Sequence, residues 1–388
     1  MKILYLEWNS FCNEDMFEVL QNMGHQVEKI AFEGVKTKED DLRKQINSYL
    51  NKGTYDMMFS FNYFPAASNV CKELDIKYVS WVYDSPYIHV YSYTMLNECN
   101  YVFLFDYGVY EELKSAGIHT VYYLPLGINQ HRILRMAKNN KNMGTYKSDV
   151  SFVGSLYSEP KHRLYDKFAN MDPYAKGYLD GLIQAQLKVY GCNFLKEMLT
   201  EDIVAKMQEV YPTDPNAPTV LSPEAIYAEY VLARQVTAIE RKEILTQLGK
   251  MNYDTKLYTY NRSVQIPGVK NCGQLDYYDD MPYVFMNSKI NLNITLRSIR
   301  TGIPLRIMDI LGCGGFLLTN YQAEMEEYFV PDEDFVYYWD YDDLLSKTEY
   351  YLSHEKERKE IAENGQRKVL EQHTLENKIT EMLSIVLA

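Results

Sequence analysis

The sequence lacks the long apolar runs and cysteine patterns that mark membrane and secreted proteins. No apolar stretch in its 388 residues approaches the ~20 needed to cross a bilayer, and the mean hydropathy is −0.36, so we expect a soluble chain. The opening MKILYLEWNSF has a short apolar run broken by Glu7 and no small-residue cleavage site, which favours a first β-strand over a signal peptide. Six scattered cysteines without a C-x-x-C pair indicate reduced thiols and a cytoplasmic location.

Positive charge and metal-ligand spacings are also scarce in the sequence. The net charge is −13 and no basic cluster is long enough to follow a phosphate backbone, so nucleic acid is not an expected partner. The seven histidines show no metal-ligand spacing. The acidic clusters 277–280 and 340–343 each precede a helical pattern, where carboxylates commonly cap helices. We therefore predict no metal site.

Strand and helix patterns alternate along the chain. Apolar strands such as ILYLEW, YDMMFSFN and KYVSWVYD alternate with helices of roughly 10 residues, which predicts βαβ units and a parallel sheet. The polar, basic stretch 129–148 is typical of a linker, and a second α/β pattern follows it. We predict an α/β fold of two domains facing each other across a cleft, residues 1–145 and 146–388. The second domain carries a helical insertion at about 160–250.

Polar side chains follow the predicted strands of the first domain, at the sheet edge where open α/β folds bind ligands. Glu7, Asn62, Asp84 and Asp106 each come directly after an apolar run. The alternative is that each residue only caps the next helix. That explanation is weakest for Asp84, because no obvious helix follows it. His89, close to Asp84 in the sequence, is a further acid–base candidate.

One strand pattern of the second domain, SKINLNITLRSIR, alternates apolar and polar residues. Its polar face includes Asn293 and Arg297. A central parallel strand is normally apolar on both faces, so polar residues near its end indicate a lined pocket. An edge strand with one wet face is the alternative. Gly154-Ser155, after another apolar strand, is a second loop where backbone could approach a phosphate, although such turns usually only connect a strand to a helix.

A short apolar helix is predicted directly after this strand. Pro304 favours a helix that begins within 303–305 and ends at Leu311, and its N-terminus would offer backbone N–H groups to a phosphate. Gly302 permits close approach of a ligand to the backbone. Charge-assisted hydrogen bonds to phosphate oxygens can come from Arg297, Arg300 and Arg306. Asp309 could accept hydrogen bonds from two ribose hydroxyls. The alternative is a buried Arg306–Asp309 ion pair that only holds the helix in place.

These residues resemble a known family. RIMDILGCGGFLLTNYQAEMEEYF, together with the later YDDLLSKTEYYLSHEKERKEIAENGQRKV and HTLENKI, looks like the C-terminal half of group 1 glycosyltransferases with the GT-B fold. More narrowly, it resembles the CgeB-like glycosyltransferases of spore maturation. FSFNYFP, CKELDIKYVSWVYDSP and FLFDYGVYEELKSAGI are similar to the N-terminal domain of those proteins. The resemblance covers nearly the whole chain except about 165–245.

The resemblance implies two Rossmann-like domains, with the nucleotide-sugar donor bound mainly by the C-terminal one and the acceptor by the N-terminal one. It also implies that no metal or cofactor is needed, because a helix dipole and basic side chains neutralise the diphosphate. Many group 1 enzymes carry E-x7-E, whose second glutamate binds the donor ribose. Here Asp309 stands at the second position and Thr301 at the first.

The departure at Thr301 leaves the stereochemistry of transfer open, because a threonine cannot act towards the donor sugar as a glutamate does. An inverting reaction would require a base from the N-terminal domain. The candidates, in order, are Asp84, Glu7 and His89.

From these observations we expect a metal-independent glycosyltransferase of the hexosyltransferase type. It would move a sugar from a nucleoside diphosphate donor, UDP foremost, to a protein or cell-surface glycan. The alternatives are a nucleotide-sugar epimerase on the same scaffold and a non-catalytic relative that binds a partner through the helical insertion. The insertion could recognise the acceptor, close a lid or make a homo-oligomer contact.

Overall fold

A computed structural model describes residues 1–140, 144–215, 217 and 219–388. Within these residues the chain forms two units. Unit 1 comprises Met1–Arg132, Ala217–Val220 and Gln372–Ala388, and unit 2 comprises Ile133–Asn216 and Leu221–Glu371. The predicted linker 129–148 lies partly outside the described residues, and its described part is mostly helical.

The strands form two parallel sheets, one in each unit. The strands of unit 1 are β1 (Lys2–Glu7), β2 (Gln26–Ala31), β3 (Met57–Phe61), β4 (Tyr78–Val82), β5 (Asn100–Leu104) and β6 (Val121–Tyr123). The strands of unit 2 are β7 (Ser148–Val153), β8 (Thr255–Tyr258), β9 (Val269–Asn271), β10 (Ser288–Asn293), β11 (Leu317–Asn320) and β12 (Val336–Tyr338).

Helices connect the strands and cover the sheets. In the first part of the chain they are α1 (Asn13–Asn22), α2 (Glu39–Leu50), α3 (Pro65–Glu73), α4 (Tyr107–Ser115) and α5 (Gln130–Asn139). The helices between β7 and β8 are α6 (Pro173–Leu187), α7 (Glu201–Val210), α8 (Pro223–Ile226) and α9 (Ala233–Lys250), with a π-helix at Tyr227–Leu232. The remaining helices are α10 (Met281–Asn287), α11 (Leu305–Gly312), α12 (Met325–Tyr328), α13 (Tyr341–Ser353), α14 (Glu355–Gln372) and α15 (Leu375–Val386).

The sheet of unit 1 has the order β2-β1-β3-β4-β5-β6, with every paired strand parallel. β3 and β4 are buried at every position, as expected for strands covered by helices on both faces. From β1 the sheet continues on one side to β2, and from β3 it continues on the other side through β4 and β5 to β6. These two strands therefore form the topological switch point, where open α/β sheets bind ligands outside the carboxyl ends of their strands.

The sheet of unit 2 has the order β12-β11-β10-β7-β8-β9 and is also parallel. Counted from its own first strand, this is the order 6-5-4-1-2-3 of a dinucleotide-binding Rossmann sheet. The switch point lies between β7 and β10, which pair from Ser148–Ser288 to Phe152–Leu292. The prediction of two α/β, Rossmann-like domains is confirmed.

Helix α9 belongs to two hydrophobic cores. Its first residues, including Val236, pack with α6 and the π-helix in a core of their own. Further along, Ile244 and Leu248 pack against the strands of the unit 2 sheet. The helix therefore serves both as part of the insertion and as the crossover that parallel β7 and β8 require.

The C-terminal segment pairs with unit 1 rather than with the sheet of unit 2. The N–H of Ile128 donates to the carbonyl of His373 at 2.9 Å, and the N–H of Leu375 donates back to Ile128 at 2.8 Å. A side chain at Gly127 would come within 2.8 Å of the His373 carbonyl, so the close approach requires glycine. The sequence pattern predicts one domain over residues 146–388. In the structure, residues 372–388 belong to unit 1.

Candidate functional site

Two loops meet at the switch point of unit 2, one after β7 and one after β10. The guanidinium of Arg241, on α9, joins them: it donates to the carbonyl of Ser155 at 2.6 Å and to the carbonyl of Ile294 at 3.1 Å. Arg241 is 8% exposed. A buried cation that hydrogen-bonds to two strand-end carbonyls fixes both loops relative to each other.

Helix α11 begins at Leu305, with Pro304 at its N-cap, and ends at Gly312, one residue beyond the predicted end. At its C-terminus the N–H of Gly315 donates to Ile310 and that of Gly314 donates to Leu311, the pattern of a Schellman motif. Gly314 has φ +71°, and a side chain at Gly315 would lie 2.6 Å from the Asn291 amide. Gly314 and Gly315 are therefore required by the end of the helix.

Arg306 and Asp309 form an ion pair on one face of α11. Their nearest atoms are 3.4 Å apart, and the Tyr277 hydroxyl donates to the other oxygen of Asp309 at 3.3 Å. The Arg306 side chain is 26% exposed and that of Asp309 is 7% exposed. The structure thus contains the ion pair of the alternative interpretation. The pair is long, and its cation reaches solvent, so it contributes little stability and can be exchanged for a ligand.

Arg297 lies in a buried network rather than at the surface. Its guanidinium donates to both oxygens of Glu240 at 2.9 Å and to the carbonyl of Val189 at 2.8 Å. The Tyr190 ring stacks 4.0 Å from the guanidinium, and its hydroxyl donates to Glu240 at 2.6 Å. This bidentate pair joins the end of β10 to α9 and the insertion. The structure gives Arg297 a positioning role, and the phosphate contact predicted for it stays a prediction.

Arg300 and Thr301 are each in contact with a carboxylate. Arg300 donates to Glu229, in the π-helix, at 2.9 Å. The Thr301 hydroxyl donates to Glu324 at 2.6 Å, and the Glu324 N–H donates to the Thr301 carbonyl at 3.3 Å. Gly302, next in the chain, is buried. The buried carboxylate of Glu324 therefore lies beside Thr301.

The loop after β7 contains several polar groups around Tyr157. The Tyr157 N–H donates to the Ser155 hydroxyl at 2.9 Å, and Tyr157 has φ +54°. The guanidinium of Arg234 lies 5.7 Å from the Tyr157 ring and the His162 ring lies 5.4 Å from it. Within the described residues, Arg234 Nε and His162 Nδ1 are buried without a hydrogen-bond partner. Burial and the charge of Arg234 lower the pKa of His162.

Asn293 contributes to the sheet. β10 is central, between β11 and β7, so it is not the edge strand of the alternative interpretation. The Asn293 amide donates to Thr295 at 3.0 Å and to Thr319 at 2.9 Å. Its polar side chain is thereby satisfied within the sheet.

In unit 1, Asn62 holds Asp84 at the carboxyl ends of β3 and β4. The Asn62 amide donates to Asp84 Oδ2 at 2.7 Å, while its oxygen accepts the N–H groups of Tyr83 at 3.1 Å and Asp84 at 3.4 Å. Asn62 is fully buried and has φ +57°, a conformation that asparagine tolerates better than most residues. Asp84 reaches solvent, but desolvation by the surrounding protein raises its carboxyl pKa.

The other two candidate bases have different surroundings. Glu7 forms an ion pair with Lys29 at 2.7 Å. His89 packs its ring 5.2 Å from Tyr87, and burial lowers its pKa, so its imidazole is neutral at pH 7. Nearby, Asp106 accepts the Ser85 hydroxyl at 3.0 Å. The structure therefore brings Asp84 together with Asn62, whereas Glu7 is already paired with a cation.

Five charged residues at the unit 2 site were not predicted from the sequence: Glu229, Arg234, Glu240, Arg241 and Glu324. Four of them lie in what sequence patterns describe only as an amphipathic helical insertion. The two hydrogen-bond partners of Arg241 lie 53 and 86 residues away in the chain, and the partner of Glu240 lies 57 residues away. A single sequence gives no signal for such distant pairs.

Comparison with known proteins identifies the class of this fold. Residues 234–384 match a family model described as glycosyl transferase-like, a segment that contains α11, Arg241 and Glu324. No curated protein sequence matches the chain significantly.

Solved structures match over almost the whole chain. A sucrose-phosphate synthase from Thermosynechococcus elongatus is 12% identical with a TM-score of 0.54, covering 99% of this chain and 98% of that one. A glycosyltransferase from Rickettsia africae is 11% identical with a TM-score of 0.52, over 99% and 97%. HepE of Anabaena, in complex with UDP-glucose, is 12% identical with a TM-score of 0.51, over 99% and 100%. The fold is therefore that of the GT-B glycosyltransferases.

Among the described residues, every helix is too short or too polar to cross a bilayer.

Proposed function

We propose that this protein is a glycosyltransferase that moves a hexose from a UDP-linked donor to an acceptor hydroxyl on a protein or cell-surface glycan. The observation that supports the proposal is the joining of two loops at the β7–β10 switch point of a sheet with Rossmann strand order. There Arg241 holds the carbonyl of Ser155 beside that of Ile294, and the loop that follows Ile294 leads into α11, which carries Asp309. The segment that matches the glycosyl transferase-like model includes α11.

The donor diphosphate is assigned to the start of α11. The N-cap is Pro304, so the first turn has no side-chain cap and its backbone N–H groups suit an anion. Arg306, at the second position of the helix, reaches solvent and can turn from Asp309 to a phosphate. Arg234 lies by the loop after β7 with a buried, unpartnered Nε among the described residues, and it can supply a second cation. Helix dipole and arginines together take the role that a metal ion plays in other transferases.

Asp309 is assigned to the ribose. Asp309 Oδ2, the oxygen that faces Arg306, is assigned to the ribose hydroxyls once Arg306 turns to the phosphate, while Tyr277 keeps the carboxylate oriented through Oδ1. Arg300 and Arg297 hold the loop between β10 and α11 through Glu229 and Glu240. This arrangement preorganises the site.

Asp84 is assigned as the base on the acceptor side. The acceptor oxygen attacks the anomeric carbon, the bond between that carbon and the phosphate oxygen breaks, and Asp84 takes the hydroxyl proton. UDP leaves as the trianionic diphosphate. The raised pKa of Asp84 strengthens its carboxylate as a proton acceptor. We further propose that the protein belongs to the CgeB-like branch and acts in the cytoplasm.

The proposal is tested by measuring UDP release from a panel of UDP-sugars with and without glycan acceptors. A transferase releases UDP faster when an acceptor is present and forms a glycosylated product. Conversion of the donor sugar without acceptor would instead indicate an epimerase. No turnover of any donor, combined with no nucleotide binding, would refute the proposal.

A further inference from the structure

A pocket of about 710 Å³ lies at the amino edge of the unit 2 sheet, where the strands begin. Ser148 and Ser288, the first residues of β7 and β10, line it, and so does Phe316, which directly precedes β11. The first half of α14 contributes another wall, between Glu355 and Glu363. Sites that hold small organic molecules commonly have a volume in this range.

This pocket and the proposed donor site lie at opposite ends of the same strands. The donor is assigned to the carboxyl ends of β7 and β10, whereas the pocket is lined by the residues at their amino ends. β7 runs from Ser148 to Val153, which at about 3.3 Å per residue separates its two ends by about 17 Å. A ligand in the pocket therefore does not occupy the place of the nucleotide.

A buried arginine, Arg358, lines the pocket. Its side chain lies on α14, and the residue is only 6% exposed. Its Nη1 donates to the carbonyl of Tyr351 at 2.5 Å. Within the described chain its Nε and Nη2 make no hydrogen bond, yet neither atom is fully covered by protein. The N–H groups of these two nitrogens point in the same direction, so together they match the two oxygens of a carboxylate.

The charge of Arg358 is not fully balanced by its neighbours. Asp149 and Glu355 are the acids whose charges favour the guanidinium, but each of them is paired with a lysine, Asp149 with Lys289 at 2.7 Å and Glu355 with Lys359 at 2.5 Å. Burial lowers the pKa of Arg358 in spite of these two acids. A buried cation without an ion-pair partner of its own is costly, and a bound anion would remove that cost.

The rest of the lining favours an organic anion with a single negative charge. The exposed Lys147 adds a cation, and the positive end of the α14 dipole lies at the pocket because the helix begins at Glu355. Two exposed acids that also line the pocket, Asp254 and Glu363, would repel a ligand with several negative charges. Apolar contact is available from Phe316.

We propose that this pocket binds a small organic molecule that carries one carboxylate, which Arg358 holds through Nε and Nη2. The site is additional to the proposed donor site, and its occupation does not require nucleotide. The fork of donors fixes the orientation of the carboxylate, and Lys147 attracts it from the pocket rim.

The test uses the intact chain and calorimetric titration with acetate, lactate and D-glucuronate, with glucose as the uncharged comparison. The wild type is expected to bind at least one of the three carboxylates and not glucose. Lys147→Glu and Arg358→Gln should each weaken that binding by about tenfold or more, as expected for the loss of a charge-assisted contact. Lys356→Glu is the matched control and should bind as the wild type does, because Lys356 is exposed on α14 but outside the pocket.

Arg358→Gln also removes the hydrogen bond to Tyr351, so its Tm is measured as well. If that variant does not fold, the exposed Lys147→Glu decides the result. The proposal is overturned if none of the carboxylates binds, if Lys147→Glu binds as tightly as wild type, or if UDP displaces the carboxylate.

UDP binding is measured separately on the same proteins. Binding of UDP without binding of any carboxylate refutes this pocket alone. Carboxylate binding that depends on Lys147 and Arg358 in a protein without affinity for UDP supports the pocket and refutes the proposed donor.

Discussion

At the level of single residues, Asn62 and Asp84 form the arrangement most directly connected to the proposed chemistry. Asn62 is buried and uses both ends of its amide, one to orient the Asp84 carboxylate and one to fix the backbone that carries it. Glu7 is the obvious competitor by its position at the end of β1, but it is paired with Lys29. The structure therefore distinguishes Asp84 from Glu7, which the sequence could only rank as candidate bases.

Asp84→Asn should lower kcat by about 10²–10⁴-fold, because the asparagine amide cannot take up the proton of the acceptor hydroxyl. UDP affinity should not change, and Glu7→Gln and His89→Gln should each remain within a few-fold of wild type. In the wild type, kcat/KM should fall on the acid side as Asp84 becomes protonated, at a pH above the ordinary aspartate pKa. Steady-state kinetics from pH 4 to 9 would show this, and a fully active Asp84→Asn would contradict it.

The same shift predicts how Asp84 affects stability. Its pKa is raised by the fold, so the protonated form is favoured, and ionisation at higher pH costs folding free energy. Asp84→Asn should therefore be at least as heat-stable as wild type at pH 7, with the difference vanishing below the unfolded aspartate pKa. A loss of activity accompanied by a lower Tm at pH 7 would point to misfolding instead.

The sequence predicts a structural feature well where the chemistry of a single residue determines that feature. Pro304 indicated the start of α11 correctly, because proline favours the first turn of a helix. The surroundings of Asn293 were harder to predict, because alternating polar and apolar residues suggest that one face of the strand is exposed to solvent. In the structure its amide is satisfied inside the sheet by Thr319, a residue whose position only the folded chain determines.

At the level of elements, α9 is the link between the helical insertion and the proposed donor site. It contributes Glu240 and Arg241 to the ends of β10 and β7, and its final turn approaches a neighbouring loop so closely that only glycine fits. A side chain at Gly249 would lie 2.1 Å from the Pro267 carbonyl. The sequence predicted a helix here but could not show which of its residues lie against backbone.

Gly249→Ala should lower the free energy of unfolding by about 1–3 kcal/mol, because the added methyl group must displace backbone. Gly177→Ala is the matched control: Gly177 lies within α6 with nothing within 4 Å of the added methyl group. It should instead raise stability by about 0.5–1 kcal/mol, since alanine favours helix. Denaturant unfolding measures both. Equal effects of the two substitutions would contradict the packing of α9.

At the level of the whole chain, the C-terminal segment returns to unit 1. The backbone bonds between Ile128, His373 and Leu375 account for this return. The sequence pattern predicts residues 146–388 as one domain, because helical patterns contain no information about which sheet a helix covers. The alternation of strands and helices, in contrast, was sufficient to predict two Rossmann-like domains, since parallel sheets require it.

His373 should make this attachment sensitive to acid. Burial, helped by the nearby Lys378 charge, lowers the pKa of His373 to about 3. Because the unfolded chain takes up a proton near pH 6.5 and the folded chain does not, stability should fall as pH decreases from 6.5 towards 3.

Thermal denaturation at pH 7 and pH 5 would measure this loss. The decrease in Tm between the two should be smaller for His373→Gln than for wild type, whereas the exposed His119→Gln should behave as wild type. An identical decrease in all three proteins would contradict the assignment.

We propose that α11 and Asp309 hold the nucleotide of a sugar donor. Calorimetric titration with UDP tests it most directly, using wild type, Asp309→Ala and the exposed Asp342→Ala as control. We predict that wild type and Asp342→Ala bind UDP equally and that Asp309→Ala binds at least tenfold more weakly while its Tm without ligand changes little. Equal UDP affinity in all three proteins, or no heat of binding in the wild type, would contradict the claim.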